Sequence, residues 1–228
     1  MVPRSGKALT LGTALVAVVA VALALGPDRA ARAQEAGSGP PATQVKLFAP
    51  WLPNMTLNPN ITVTRREMFM GNPNLPSDCQ SGSISTERPD AWRCGTADPC
   101  FSPTPFSAME VACATAPWSN EVVLLTLSRP LPGPSECQAM PSSCPRQLNL
   151  ESPPWALELA NGARCTAFTG TISSVAGLGL VYGCDNGGFV GVANRDAPFD
   201  KSLPLWRAFY LPKDGTAVEQ VDVLTAWY

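Results

Sequence analysis

Cysteine content constrains this chain more than any other feature of its sequence. The 228 residues include eight cysteines and no histidine. All of the cysteines follow an apolar N-terminal segment, and an even number of cysteines in an exported chain indicates a disulfide framework rather than metal ligands. The sequence therefore predicts a fold stabilised by disulfides among Cys79, Cys94, Cys100, Cys113, Cys137, Cys144, Cys165 and Cys184.

The N-terminus has the organisation of an export signal. A basic start is followed by a segment without charge, from Ala8 to Gly26. An A-x-A pattern at Ala31 to Ala33 predicts cleavage after Ala33, which makes residues 1–33 a signal peptide. The apolar segment is also long enough to span a bilayer, so an uncleaved membrane anchor is the alternative.

The rest of the chain divides into a tether and two larger segments. Residues 34–44 are small, polar and rich in proline and glycine, which predicts a flexible linker. A proline-rich stretch from Pro132 to Pro154 separates a cysteine-rich segment, residues 45–150, from residues 151–228. The 24 prolines and 18 glycines favour many short strands with abundant turns. The predicted fold is all-β, with two small packed subdomains that carry disulfides and Pro/Gly-rich loops.

Strand patterns support this fold class. Glu121 to Ser128 is a continuous apolar run typical of a buried strand. Trp155 to Ala160 alternates between apolar and small or polar residues, and Asn161-Gly162 then favours a type I′ hairpin turn. The same alternation recurs from Leu178 to Cys184 and from Val221 to Trp227, so the second segment is predicted to be a set of short strands.

The second segment contains only two cysteines, Cys165 and Cys184, which predicts that they pair. A hairpin between residues 163–169 and 178–184 would place them directly opposite each other, where Cβ atoms are close enough for a bridge. The same register would set Ala167 opposite Tyr182 and Thr169 opposite Leu180.

Sequence alone leaves the pairing among the other six cysteines open. Short loops close at the lowest entropic cost, which favours neighbours in the chain. The pairs preferred on that argument are Cys79 with Cys94, Cys100 with Cys113, and Cys137 with Cys144.

Several motifs resemble a known group of proteins. The motifs are Cys79-x-Ser81-Gly82-Ser83, PDAWRC at Pro89–Cys94, DPCF at Asp98–Phe101 and PPWALELANG at Pro153–Gly162. Across most of the chain after the leader, they resemble exported bacterial proteins of uncharacterised function. The resemblance implies a bacterial source, export and disulfides, and it implies no activity.

The residue set excludes several chemistries. Without histidine, a Ser/His/Asp or Cys/His nucleophile pair cannot form, because the base is missing. No C-x-x-C spacing occurs, so a zinc site made only of cysteines is not expected. No run of lysine or arginine offers a footprint for nucleic acid or anionic lipid. We expect no cofactor, no metal, no nucleic-acid partner, and membrane contact only through an uncleaved leader.

Binding is the function class that the residues favour. Six tryptophans are many for this length, and an exposed tryptophan beside polar groups suits a sugar ring. Trp155 and Trp227 are in phase with apolar neighbours and are predicted to lie in the core, and Trp92 is expected to pack on a disulfide. Trp51 and Trp118 lie in predicted loops and are the candidate ligand contacts.

The sequence thus predicts an exported, extracytoplasmic binding or interaction module of the cell envelope, with a glycan or an envelope protein as partner. One alternative is a proteinase inhibitor that uses the loop from Leu131 to Arg146. The other is an enzyme that acts on glycans through a pair of carboxylates. Its candidate residues are Asp90 with Asp98, or Asp185, Asp196 and Asp200, and either set is also a candidate calcium site.

Overall fold

Short strands dominate the fold, as the proline and glycine content predicted. A computed structural model describes residues 41–75, 77–170, 173–193 and 198–228. Within these ranges the α-helical residues are confined to α1 (Pro134–Ala139), and 3₁₀ turns occur at Pro117–Ser119 and Pro141–Ser143. No helix in this part of the chain is long and apolar enough to cross a membrane. The all-β prediction is confirmed.

The predicted signal peptide and most of the predicted linker lie outside the described residues. The end of the linker does not, and there the prediction is wrong. The hydroxyl of Thr43 donates to the carbonyl of Val223 (2.7 Å) and accepts the N–H of Trp206 (2.8 Å). Strand β1 (Gln44–Lys46) then pairs in parallel with residues 225–227. The linker ends earlier than predicted, because these bonds fix residues 43–46 to the second sheet.

The first of two sheets is built almost entirely from the cysteine-rich segment. It has six strands, and neighbours in it are antiparallel except for the parallel pair of β2 and β7. Its order is β2 (Thr62–Phe69), β7 (Glu121–Leu127), β6 (Glu110–Cys113), β5 (Ala97–Phe101), β4 (Ala91–Cys94) and β3 (Ser81–Gly82).

The second sheet closes into a barrel. Its strands are β8 (Ala156–Leu159), β9 (Arg164–Ala167), β11 (Leu178–Cys184), β12 (Phe189–Ala193), β14 (Arg207–Leu211) and β15 (Glu219–Trp227). Closure depends on β15, because residues 219–222 pair with β14 while residues 223–227 pair with β8. Three short strands attach to this sheet: β1, β10 (Ser174–Val175) and β13 (Phe199–Asp200).

The β8–β9 hairpin turns at Asn161-Gly162, as predicted, but with a different turn type. A type I′ turn needs a positive φ at both central residues. Gly162 has a φ of 85°, whereas Asn161 does not adopt a positive φ. The side chain of Asn161 instead accepts the N–H of Ala163 at 3.1 Å, which stabilises the turn locally.

The register between β9 and β11 is largely the predicted one. The two cysteines face each other, and Ala167 faces Tyr182. The third predicted pair, Thr169 with Leu180, is absent from the ladder. Strand β9 ends at Ala167, and the N–H of Leu180 donates to the carbonyl of Ser173 instead.

All eight cysteines are in disulfides, and the pairs are those that the sequence favoured. In chain order, the first cysteine bonds to the second, the third to the fourth, and so on. The pairs are Cys79–Cys94, Cys100–Cys113, Cys137–Cys144 and Cys165–Cys184.

Aromatic rings fill the space where the two sheets meet. Phe48, Phe101 and Trp155 are almost completely buried, and their ring centroids lie 5.4 to 6.1 Å apart. Trp92 is fully buried in the core of the first sheet, and its N–H donates to the hydroxyl of Ser102. Trp155 therefore lies in the core as predicted, and Trp92 shares a core cluster with Cys79, Cys94 and Cys100, in agreement with its expected packing on a disulfide. Trp227, also predicted to lie in the core, is half-buried, and its N–H donates to the carboxylate of Glu158 at 3.0 Å.

A buried arginine joins the same two sheets. The Arg88 guanidinium lies 4.7 Å from the centroid of the Phe101 ring. It donates to both carboxylate oxygens of Asp90, at 3.0 and 2.7 Å. It also donates to the carbonyls of Phe48 (2.6 Å) and Tyr228 (2.9 Å). Because Asp90 precedes β4 and Tyr228 follows β15, one side chain holds the first sheet against the barrel.

The segment between the sheets, residues 128–155, is fixed to the barrel by a lysine. Lys201 donates through Nζ to the carbonyls of Leu150 (2.7 Å) and Glu151 (3.1 Å). Its ammonium group lies 4.5 Å from the centroid of the Trp206 ring, a favourable cation–π contact. The segment that was predicted as a loop is therefore positioned by specific bonds.

A buried carboxylate fixes the end of β7. Asp78 is fully buried, and it accepts the backbone N–H groups of Ser128 (2.6 Å) and Arg129 (2.9 Å) and the Nε–H of Arg129 (2.9 Å). Burial by itself raises the pKa of Asp78, but the donors on Arg129 and Ser128 hold that pKa below its ordinary value. The folded chain therefore favours the carboxylate form.

We predict that replacing Cys165 and Cys184 with alanine lowers the urea midpoint of unfolding and removes about 3 kcal/mol of stability, because the disulfide closes a loop of 19 residues in the unfolded chain. Tryptophan fluorescence measures the transition. The double alanine variant at Cys137 and Cys144 is the control, and it should lose less, since that loop spans only 7 residues. An unchanged midpoint at the first pair contradicts the prediction.

We predict that Asp78→Asn removes about 2 kcal/mol at pH 7, because several donors lose a charged acceptor. The pKa of Asp78 is lower in the folded than in the unfolded chain, so its contribution is complete above about pH 4 and disappears as the pH falls through the folded pKa. Urea titrations at pH 7 and pH 3 should show the difference from wild type shrinking at low pH. Asp222→Asn, in an exposed ion pair with Arg207, is the control and should change stability little at either pH.

Candidate functional site

A cavity of about 420 Å³ lies where the first sheet meets the barrel. This volume is in the range of about 300–1,000 Å³ that is usual for ligand sites. Residues of β2, β5 and β7 line one side of it, and Trp155 and β9 line the other. We call it the inter-sheet cavity. Its lining includes five hydroxyl side chains, those of Ser85, Thr96, Thr115, Thr166 and Thr169.

The charged residues at the cavity neutralise each other or are bonded to the protein. Arg65 and Glu67 lie two positions apart on β2, so both point to the same face, and Arg65 Nε is 3.2 Å from Glu67 Oε2. Their side chains are 65% and 43% exposed, which places the mouth of the cavity in contact with solvent. The ion pair of Arg65 with Glu67 therefore lies at the opening of the cavity.

Asp98 shapes one wall of the inter-sheet cavity. Its carboxylate accepts the hydroxyl of Ser85 (2.7 Å), the backbone N–H of Ile84 (3.0 Å) and the hydroxyl of Ser83. The oxygen of Ser83 in turn accepts the N–H of Thr86 at 3.1 Å. These bonds hold residues 83–86 in a compact turn beside β5, so Asp98 acts as a positioning residue.

Trp155 forms part of the wall of the inter-sheet cavity. The residue lines the cavity and is only 2% exposed, because it packs on Phe48 and Phe101. Its indole N–H has no hydrogen-bond partner among the described residues, and the nitrogen is buried from solvent. The cavity therefore does not expose this N–H to a ligand.

A second cavity, of about 180 Å³, adjoins the first. Ser85 and Ala167 line both cavities and form the boundary between them. Thr86 lines the second cavity, is 3% exposed, and its hydroxyl also lacks a partner in the described part of the chain. Each cavity therefore has one buried polar group that the protein leaves unsatisfied.

An exposed aromatic ring stands at the second cavity. Phe168 is 44% exposed and lines this cavity. Its ring lies against Gly183, where an added Cβ would come within 2.9 Å of Phe168 Cζ. Glycine at this position of β11 therefore makes room for the ring. The ring also lies 6.3 Å from that of Phe189, which limits its movement.

Glu87 fixes the opposite wall of the second cavity. It accepts the hydroxyl of Ser152 (2.7 Å), the side-chain amide of Asn149 (3.0 Å) and the guanidinium of Arg146 (2.6 Å). These donors, Ser152 foremost, lower the pKa of Glu87 below its ordinary value, although burial opposes them. The carboxylate thus holds the segment between the sheets along the cavity.

Neither predicted contact residue lines either cavity. The Trp51 N–H donates to the carbonyl of Phe101 at 2.8 Å, and the ring is half-buried. Trp118 is half-buried in a 3₁₀ turn, and the Arg164 guanidinium lies 5.7 Å from its ring centroid. Both tryptophans pack on the aromatic cluster from its outer side.

The candidate carboxylates are largely engaged in local structure. Asp90 pairs with Arg88, and Asp185 accepts the N–H of Arg164 at the β9–β11 end. Asp196 lies outside the described residues. Among the residues that the structure describes, no group of three or more His, Cys, Asp or Glu side chains could hold a metal ion. Of the carboxylates considered, Asp98 is the one that lines the inter-sheet cavity.

The sequence did not predict a site at Phe168 or Thr86, because phenylalanine is among the residues most often buried and a threonine in a polar segment carries no distinguishing signal. One signal was available for Phe168. In the predicted strand 163–169, Cys165, Ala167 and Thr169 share one face, which places Phe168 on the other. A phenylalanine on the face away from the disulfide is a candidate exposed aromatic.

Comparisons of the chain with protein-family models, with curated proteins and with solved structures found no match. The resemblance of its motifs to exported bacterial proteins therefore stays a prediction. The case for a function depends on the geometry of the two cavities.

We predict that Asp98→Ala increases amide hydrogen exchange at Ile84 and Thr86 by about tenfold or more, because loss of the carboxylate releases the turn at residues 83–86. Mass spectrometry or NMR of exchanging protein measures this rate. Asp185→Ala is the control, since Asp185 holds the N–H of Arg164 at a different turn. Unchanged exchange at Ile84 and Thr86 contradicts the positioning role of Asp98.

Proposed function

We propose that this protein is an exported, disulfide-stabilised binding module of the cell envelope that holds a neutral glycan in the inter-sheet cavity. The observation that carries the proposal is the set of five hydroxyl side chains that line the cavity, those of Ser85, Thr96, Thr115, Thr166 and Thr169. The hydroxyls and ring oxygen of a sugar are matching partners for such groups.

The charge of the lining favours a neutral ligand over an anion. Arg65 pairs with Glu67, and the three donors on Asp98 are uncharged groups. The carboxylate of Asp98 therefore leaves the lining with one net negative charge, which repels a phosphate or a carboxylate. A neutral polyhydroxylated molecule meets no such repulsion.

The disulfides support the proposed compartment. All eight cysteines are paired, and disulfides persist in oxidising environments outside the cytoplasm. The apolar leader with its A-x-A pattern is the sequence feature that supports export. A rigid, cross-linked scaffold around a small polar cavity suits capture of a ligand in that setting.

Hydrolysis of a glycan is a second candidate, favoured by one observation. Glu67 and Asp98 both line the inter-sheet cavity, and glycosidases use two carboxylates. Binding is favoured over hydrolysis because Asp98 already accepts three hydrogen bonds and Glu67 pairs with Arg65. Release of shorter sugars by wild type, and its absence in Glu67→Gln and Asp98→Asn, would support the enzyme.

The proteinase-inhibitor alternative gains no support from the structure of its loop. The centre of the segment from Leu131 to Arg146 is helical, at α1 and the following 3₁₀ turn. An inhibitory loop must offer extended backbone to a proteinase. This segment instead packs its Cys137–Cys144 disulfide on the core of the first sheet.

We predict that soluble β-1,4-linked oligomers of glucose or N-acetylglucosamine bind the protein, and that Thr115→Trp abolishes this binding by filling the inter-sheet cavity. Thr115 is exposed and lines the cavity, so the new ring occupies it without disturbing the core. Saturation-transfer NMR detects the bound sugar. Thr62→Trp, at an exposed position outside both cavities, is the matched control and should bind normally.

The double variant Trp51→Ala, Trp118→Ala tests the earlier hypothesis on the same samples. Retained binding in the folded double variant, together with loss in Thr115→Trp, supports the inter-sheet cavity. Loss only in the double variant places the site on the tryptophan surface instead. Absence of binding by wild type to every glycan of a broad soluble panel overturns the proposed function.

A further inference from the structure

We propose that the ligand is a linear oligosaccharide that extends from the inter-sheet cavity, past Ser85 and Ala167, into the second cavity, where one sugar ring stacks on Phe168. This inference rests on the proposed function, and it adds the length and direction of the bound chain. The residues that carry it lie in both walls of the joint between the sheets.

The two cavities adjoin. Ser85 and Ala167 line both of them, and both side chains are small. Ser85 is held by its bond to Asp98, and the N–H of Ala167 donates to the carbonyl of Trp155 at 2.8 Å. The boundary that the proposed ligand crosses is therefore fixed by the protein before any ligand arrives.

Hydroxyl side chains line both cavities. Ser85, Thr96, Thr115, Thr166 and Thr169 line the inter-sheet cavity, and Ser85 and Ser152 line the second. Groups that both donate and accept hydrogen bonds suit the hydroxyls of successive sugars in one chain.

Phe168 supplies the stacking surface that the inter-sheet cavity lacks. The ring is 44% exposed beside the second cavity, and Gly183 and Phe189 fix its position. Trp155 cannot play this part, because it is 2% exposed and packed between other aromatic rings. A sugar in the inter-sheet cavity is thus held by hydrogen bonds, and the next sugar is held by contact with an aromatic face.

Both ends of the path are open to solvent. Arg65 and Glu67 stand exposed at the inter-sheet cavity, and Ile84, 57% exposed, stands at the second cavity beside Phe168. A path that is open at both ends accepts an internal stretch of a polymer as well as a free end. The arrangement therefore selects for chain length rather than for a single small sugar.

The test is a titration of N-acetylglucosamine and of its β-1,4-linked dimer, trimer and tetramer, with the glucose series in parallel. Isothermal calorimetry gives Kd for wild type, Phe168→Ala, Thr86→Val and Phe106→Ala. Phe106 is 38% exposed and lines neither cavity, so it is the matched control for Phe168. Thermal unfolding of each variant confirms that it is folded.

We expect Kd to fall by tenfold or more from the single sugar to the trimer in wild type. Phe168→Ala should raise Kd for the trimer about tenfold and leave Kd for the single sugar unchanged, because a single sugar in the inter-sheet cavity does not reach the ring. Thr86→Val should match wild type, since the Thr86 hydroxyl is buried away from the second cavity and the substitution keeps the shape of the side chain. Phe106→Ala should match wild type throughout.

The two proposals fail in different ways. If sugars bind, Thr115→Trp abolishes binding, and Kd is independent of chain length, the extended path is overturned while the binding function stands. Equal losses for single sugar and trimer in Phe168→Ala also overturn the path. If no sugar of either series or of the broader panel binds wild type, both proposals are overturned.

Discussion

The guanidinium of Arg88 is the interaction on which the arrangement of the two sheets depends. It lies almost completely buried and bonds to a carboxylate from the first sheet and to a carbonyl that follows the last barrel strand. Removing one partner of a buried ion pair is strongly destabilising, because the other charge is left without compensation. The inter-sheet cavity exists only while the sheets keep this spacing, so its shape depends on a residue that does not line it.

Around this contact, most buried polar groups have hydrogen-bond partners within the protein. Asp78, Asp98 and Glu87 each collect several donors, and each uses them to fix a turn or a connecting segment. Three buried side-chain atoms in the described part of the chain lack a partner, on Thr86, Arg93 and Trp155. The walls of the cavities are therefore held mainly by the protein's own hydrogen bonds.

Local features of the fold were predictable from the sequence, and long-range features were not. The β8–β9 hairpin, the β9–β11 register and the disulfides follow from neighbouring residues, through alternation, turn residues and short loops. The pairing of β1 with β15 and the closure of the barrel by β15 join residues far apart in the chain. No local pattern encodes such a contact, which explains why the linker was predicted to extend too far.

The candidate site shows the same division. Trp155 was predicted to be buried, and it is, but burial alone does not reveal whether its N–H finds a partner, because that depends on which strand lies opposite. Trp51 and Trp118 were chosen because they lie in loops, yet loop residues also pack when a distant segment covers them. Phe168 is exposed because β9 ends one residue before it, and strand ends are the least predictable part of a sheet.

The order of the disulfides bears on how such a chain acquires them. In chain order the first cysteine is bonded to the second, the third to the fourth, and so on, and no bond joins the first sheet to the barrel. When such a chain enters an oxidising space N-terminus first, the native partner of each unpaired cysteine is the next cysteine to arrive. Oxidation in order of arrival then yields the native pattern without reshuffling, and each covalent loop closes before the next segment has emerged.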